Sequence, residues 1–260
     1  MSAALLEVEH LAVHIGGLVA IADASFSVPE GSIVSLIGPN GAGKTTAFNV
    51  ISGYMRPTRG SIRFAGEAIT GLAPERVAER GLVRSFQRTS VFMGCTVLEN
   101  ALMALHRRGK AGLLAALSPW GAVRREEAML REAAWEMLRF VGLEARAETL
   151  AEALAYGEQR RLGIALAAAA SPRLLMLDEP AAGLNPSETA ECMALIRGLR
   201  ERGMTVLLVE HDMAMVMQMS DSIVVLNQGR IIATGAPAEI RANPEVIRAY
   251  LGSEAAHVAA

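Results

Sequence analysis

Lysine is nearly absent from this chain. Only Lys44 and Lys110 occur among 25 Lys plus Arg, so almost every cation is arginine and a retained lysine asks for a specific reason. Cysteine is scarce too. Cys95 and Cys192 stand far apart, without metal-ligand spacing, and read as two small buried hydrophobes in a chain suited to a reducing compartment. There is no strong charge of either sign. A net charge of −2 excludes a global electrostatic case for binding nucleic acid or an anionic membrane. Long apolar runs are missing as well. The alanine-rich stretch from Leu162 to Ser171 is too short to span a bilayer, and Glu7 and Glu9 interrupt the apolar start where a signal pattern would lie. What remains is a 260-residue chain, 52% hydrophobic and 20% charged. It reads as one soluble domain with room for a sizeable insertion, reaching a membrane only through a partner.

Lys44 has its reason in its neighbours. Gly38-Pro39-Asn40-Gly41-Ala42-Gly43-Lys44-Thr45-Thr46 fits the phosphate-loop pattern G-x-x-x-x-G-K-[ST]. Glycines let main-chain N–H groups approach phosphate oxygens that a side chain would block. An ammonium on a flexible stem reaches between phosphates as a point charge, where a planar guanidinium fits poorly. Thr45 offers a hydroxyl to Mg²⁺. The setting agrees: Ile33-Val34-Ser35-Leu36-Ile37 reads as a buried strand, and Ala47 to Ile51 as a helix stopped at Gly53. Strand, glycine loop and helix N-terminus together point to a nucleoside triphosphate.

The rest of the chain alternates strand and helix. The first thirty residues predict an antiparallel hairpin divided at Gly16-Gly17. Ser61 to Phe64 predicts a short strand, Pro74 to Arg80 a short helix stopped at Gly81, and Leu82 to Phe86 a strand running into Gln87. From Thr96 the pattern turns helical, beginning with a capping box between Thr96 and Glu99. Arg124 to Phe140 has helical spacing, and Arg107 to Gly121 reads as a loop or broken helix. Strands return at Leu174 to Asp178, Thr205 to Val209 and Ser222 to Leu226, with a helix from Pro186 to Arg202 between the first two. That is the alternation of a mostly parallel α/β sheet. Gln228-Gly229-Arg230 predicts a hairpin turn, and Pro237 and Pro244 open short closing helices. The expected organisation is a single domain over 1–260. A catalytic core with a β-subdomain spans 1–95 and 171–260, and a helical subdomain spans 96–170.

The apolar strand Leu174-Leu175-Met176-Leu177 ends in Asp178-Glu179. A buried strand ending there delivers Asp178 to the edge of the sheet where ligands bind, to hold Mg²⁺ directly or through water. Glu179 is placed to polarise the attacking water. Leu154-Ala155-Tyr156-Gly157-Glu158-Gln159-Arg160-Arg161 then resembles the signature of ATP-binding cassettes, usually Leu-Ser-Gly-Gly-Gln. With the phosphate loop, Asp178-Glu179, Gln87 and His211, the ordered set resembles the nucleotide-binding subunits of ABC transporters over essentially the whole chain.

That resemblance implies an ABC ATPase fold: a P-loop core, an N-terminal antiparallel β-subdomain and an inserted helical subdomain. It implies ATP and Mg²⁺ as ligands. Gln87 would contact Mg²⁺ or the water, and His211 would sense the γ-phosphate. Leu154 to Glu158 would meet the ATP of an opposing subunit, and Gly183-Leu184-Asn185 would cross the dimer interface. Three positions depart from the pattern. Ala155 replaces the usual serine, leaving backbone amides and Gly157 for the opposite γ-phosphate. Asn185 replaces aspartate, removing a charge near the water. Ile15 stands where an aromatic usually stacks on adenine, so base contact is expected to be weaker.

A finer resemblance is to the ATPases of branched-chain amino-acid importers, carried by Arg84-Ser85-Phe86-Gln87-Arg88, Thr96-Val97-Leu98-Glu99-Asn100, the signature segment, Ala181 to Pro186, and Ala249-Tyr250-Leu251-Gly252. It implies a second ATPase subunit, identical or homologous, with two membrane permeases and, indirectly, an external solute-binding protein. The subunit would then sit on the cytoplasmic face of the inner membrane. Urea and amide importers share the same look. A lipid-export ATPase of similar size would normally keep the serine that Ala155 replaces. Val91, Phe92 and Met93, just after Gln87, are expected either to face a permease or to fill the core.

Overall fold

The computed structural model describes residues 4–85, 91–106 and 120–250. The expected hairpin is present. β1 (Ala4–Ile15) and β2 (Leu18–Pro29) pair antiparallel around the Gly16-Gly17 turn. β3 (Ile33–Ile37) is buried along its whole length and feeds the glycine loop, which opens α1 (Lys44–Ile51). β4 (Arg59–Phe64) pairs with β1, and β5 (Glu67–Ala68) closes that side. α2 (Pro74–Glu79) starts with proline in its first turn, where the missing N–H costs nothing, and leads into β6 (Leu82–Arg84). Phe86, Gln87 and the three residues after them lie outside the described residues.

The helical stretch opens as its capping box predicts. Thr96 N–H donates to Glu99 Oε2 at 2.7 Å, and Glu99 N–H to Thr96 Oγ1 at 3.2 Å, at the start of α3 (Val97–His106). α4 (Trp120–Phe140) begins four residues earlier than the periodicity suggested and takes in Gly121 from the segment expected to be irregular; 107–119 lie outside the described residues. α5 (Tyr156–Ala168) carries the signature segment into β7 (Leu174–Asp178). α6 (Pro186–Glu201), β8 (Thr205–Val209), α7 (Met213–Met219), β9 (Ser222–Asn227) and β10 (Arg230–Gly235) follow. α8 (Pro237–Ala242) and α9 (244–250) end the described chain.

Ten strands form the order β5-β4-β1-β2-β10-β9-β3-β8-β7-β6. The β5 to β2 side is antiparallel, while β9, β3, β8, β7 and β6 run parallel. Within the parallel side, alternate residues enter different cores, as a period of two requires. Val34, Leu36, Met176 and Val209 pack with Phe48 and Ile51 of α1. Ile33, Leu175, Leu177 and Leu208 pack with α3 to α6. Ile37, Ile223 and Val225 meet α7, α8 and α9. Both faces are covered, which explains why these strands read as unbroken apolar runs. Burial of each such aliphatic side chain contributes about 1.5–3 kcal/mol.

Candidate functional site

Register brings the candidate residues together. Leu36 of β3 and Asp178 of β7 both pair with Val209 of β8, so three parallel strands end at one level. The chain continues from those ends into Gly38, Glu179 and His211 respectively. This is the carboxyl edge of the sheet, where open α/β folds bind ligands.

The loop from β3 to α1 is shaped by close backbone approaches. A Cβ on Gly38, where φ is +152°, would overlap the Leu226 carbonyl of β9; one on Gly43, where φ is +106°, would lie 2.6 Å from the Ala20 carbonyl. No L side chain fits at either place. α1 has no side-chain cap and no acid in its first turn, so its amide donors and its positive dipole end face outward. A phosphate suits that cradle. Lys44 is buried. Its Nζ donates to the Gly38 and Pro39 carbonyls at 2.7 and 3.0 Å. Burial holds the ammonium below the usual lysine range, opposed by the nearby Glu179 and Asp178 carboxylates.

Asp178 Oδ2 accepts from Arg84 Nη2 at 2.6 Å. Glu179 takes φ +47°, unusual for a non-glycine residue. Its Oε1 lies 2.8 Å from His211 Nε2, which must be the protonated nitrogen because a carboxylate only accepts. Glu210 lies behind them, 3% exposed. Its carboxylate accepts from Ala181 N–H at 2.8 Å and His211 N–H at 3.0 Å, tying the β7 and β8 loops together. Burial pushes Glu210 up from the usual carboxylate range against these hydrogen bonds. The Thr45 hydroxyl at the start of α1 and the Asp178 carboxylate are hard oxygen donors of the kind a divalent cation takes beside phosphate oxygens.

The signature segment and the 183–185 loop adjoin one another. Tyr156 Oη donates to the Ala182 carbonyl at 3.2 Å, and a Cβ on Gly183 would meet the Tyr156 ring at 3.2 Å. Gly157 is buried against Glu188, whose carboxylate a Cβ would meet at 2.7 Å. Two contacts add to the sequence reading here. Ala155 N–H donates to Glu158 Oε2 at 2.9 Å. Asn185 does more than omit a charge. Its Oδ1 accepts from Glu188 N–H at 3.0 Å, and Asn185 N–H donates back to Glu188 Oε2 at 2.9 Å, a reciprocal cap on α6. Leu154 is buried just before α5, and Leu184 packs on the core formed with α3 to α6. Ile15 is exposed at the end of β1. Gln87 lies outside the described residues. Phe92 and Met93 are exposed while Val91 packs inward, so that apolar triplet divides between surface and core.

Arg84, Glu210, Arg160 and Tyr250 belong to this neighbourhood without a role assigned from sequence. Arg160 Nη2 donates to the Glu179 carbonyl at 3.3 Å. The Tyr250 phenol, pushed up to about 12 by burial, accepts the Gly38 main-chain N–H. Two signals pointed to them: Arg84 interrupts an otherwise apolar strand, and Tyr250 lies in a segment already singled out.

Known proteins share this arrangement. The family described as ABC transporter matches residues 21–182, and the one described as branched-chain amino acid ATP-binding cassette transporter matches residues 230–256. The high-affinity branched-chain amino acid transport ATP-binding protein BraF of Pseudomonas aeruginosa is 51% identical over 253 residues, 97% of this chain and 99% of that protein. Its counterpart LivG of Salmonella typhimurium is 50% identical over 255 residues, again 97% and 99%. The lipopolysaccharide export ATP-binding protein LptB of Haemophilus influenzae is 34% identical over 250 residues, covering 96% and 98%. Among solved structures, an ATP-binding cassette in its ADP conformation superposes with a TM-score of 0.84 at 30% identity, covering 96% of this chain and 100% of the other. The phosphate loop, the paired acids at the end of β7, the signature helix and these relatives agree: the chain belongs to the ABC transporter family as an ATP-binding subunit.

Proposed function

We propose that this chain hydrolyses ATP to drive an importer of branched-chain or related amino acids, closing on ATP against a second ATPase subunit at the cytoplasmic face of the membrane. The observation that carries the chemistry is the convergence of Lys44, Asp178 and the Glu179–His211 pair on one sheet edge. The substrate class rests on relatives of about half identity named for that transport. The export protein LptB is a more distant relative, which favours import.

Phosphoryl transfer to water needs charge neutralisation and an in-line nucleophile more than covalent help. Lys44 and the uncapped main-chain N–H groups at the start of α1 would hold the β- and γ-phosphates. Thr45 and Asp178, with Gln87, would hold Mg²⁺, which offsets charge on the transferred group when bound. Glu179 accepts a hydrogen bond from the attacking water. The water oxygen bonds to the γ-phosphorus as the bond from γ-phosphorus to the β-phosphate oxygen breaks, giving ADP and inorganic phosphate, while the water proton passes to the Glu179 carboxylate and on to solvent. His211 orients the Glu179 carboxylate through the 2.8 Å contact. Ile15, exposed at the end of β1, would lie beside the base. Leu154 to Glu158 would face the ATP of the opposing subunit, with Gly183, Leu184 and Asn185 at the seam. Two permeases would dock near Gln87 and the exposed Phe92 and Met93, with an external binding protein delivering solute to them.

Glu179→Gln keeps the shape and removes the basic oxygen. ATP affinity should stay within about twofold while turnover falls by roughly 10²–10⁴. Turnover near the wild-type rate, measured by phosphate release, would remove Glu179 from this role. Leucine uptake into vesicles holding the assembled transporter tests the substrate.

A further inference from the structure

Arg84 is the last residue of β6 and pairs with Met176, two positions before Asp178 on the neighbouring parallel strand. That register puts Arg84 and Asp178 on one face of the sheet. Their contact is 2.6 Å, with the side chains only 8% and 15% exposed. A nearly dry pair of opposite charges at that distance interacts strongly. Arg84 is also held by α1. Nη1 donates to Asn49 Oδ1 at 2.7 Å and to Ser52 Oγ at 3.4 Å, and the guanidinium lies 5.6 Å from the Phe48 ring centroid. The helix that the phosphate loop opens therefore fixes the cation that fixes Asp178.

Lys44 faces both Asp178 and Glu179, and Arg84 pairs with Asp178, so two cations already offset the two carboxylates, with Glu210 behind them held by main-chain N–H groups. Among the described residues no group of three or more His, Cys, Asp or Glu could hold a metal ion. A dication gains little from carboxylates whose charge is already offset by cations. It gains much once a triphosphate adds negative charge.

We infer that Arg84 is a positioning residue that neutralises Asp178 and so keeps a divalent cation from settling there before the nucleotide. The inference rests on the reading of Asp178 as a carboxylate of the nucleotide site. Arginine suits the task because its fork reaches the carboxylate, Asn49 of α1 and Ser52 just after it at once, which a lysine point charge cannot do.

The test is Mn²⁺ binding to the full chain without nucleotide, followed by the electron paramagnetic resonance signal of free Mn²⁺. Arg84→Gln should bind Mn²⁺ about tenfold more tightly than wild type, a modest electrostatic gain from one charge removed. Arg84→Lys should return the affinity toward wild type. Adding Asp178→Asn to Arg84→Gln should abolish the gain. Asn49→Ala leaves both charges in place but loosens the anchor, and should shift affinity the same way by less. Unchanged Mn²⁺ affinity in Arg84→Gln, or in Asn49→Ala should the first variant not fold, overturns the inference. A gain that survives Asp178→Asn overturns it too. A separate titration of a fluorescent ATP analogue with and without Mg²⁺ addresses the underlying reading. Metal dependence unaffected by Asp178→Asn would remove Asp178 from the site whatever Arg84 does.

Discussion

Lys44 is charged where its surroundings disfavour charge. Burial lowers its pKa, so the folded protein holds this proton less tightly than the unfolded chain does. Below the lowered value both states are protonated and the burial penalty is fully present. As pH rises from there toward 10.5 the folded state sheds the proton first, and the penalty lifts. Wild type should therefore gain stability relative to Lys44→Met as pH rises from 7 to about 10.5. Melting temperatures of both proteins across that range check it; a constant difference would mean the ammonium is not penalised by burial. At this scale much was legible. Lys44, Asp178, Glu179 and His211 each follow an apolar strand, and local sequence displays that. Arg84 and Glu210 were not legible in the same way. Arg84 matters through a register shared with residues some ninety positions later, and Glu210 through amides of another loop. No local pattern encodes such pairings.

At the element scale, α5 and the loop after β7 behave as one part. Tyr156 ties the start of α5 to Ala182, and its ring lies 5.5 Å from the Arg160 guanidinium, which reaches the Glu179 carbonyl. The first turn of the signature helix is thus linked to the backbone of Glu179, itself held at a positive φ. Tyr156→Ala breaks the first link without touching the phosphate loop. Turnover should fall about tenfold, because a small misplacement of Glu179 suffices, with ATP affinity unchanged. Steady-state hydrolysis beside equilibrium ATP binding measures both; equal losses in the two would instead indicate general damage. A cap is written locally at Thr96 with Glu99, and Asn185 with Glu188 spells the same spacing at the start of α6, where the resemblance weighs only the charge that asparagine lacks. Apolar spacing fades before Arg124, so it does not show that α4 extends back to Trp120.

At the scale of the whole molecule, the alternation of strands and helices announced a parallel sheet beside an antiparallel hairpin, and both are present. Strand order was not readable. β3 lies between β8 and β9, whose paired residues are about 173 and 188 positions downstream, and nothing near Ile33 names those neighbours. That placement has a consequence for how the protein is made. On the ribosome, the glycine loop emerges early, but β3 then has neither flanking strand, and the Leu226 carbonyl that closes on Gly38 has not been synthesised. Nucleotide can therefore act as a folding ligand only late in synthesis. A nascent chain stalled with residues through Met204 exposed should not be labelled by a photoreactive ATP analogue, whereas one exposed through Tyr250 should be. Equal labelling of both would show that the loop takes shape without the strands that enclose it.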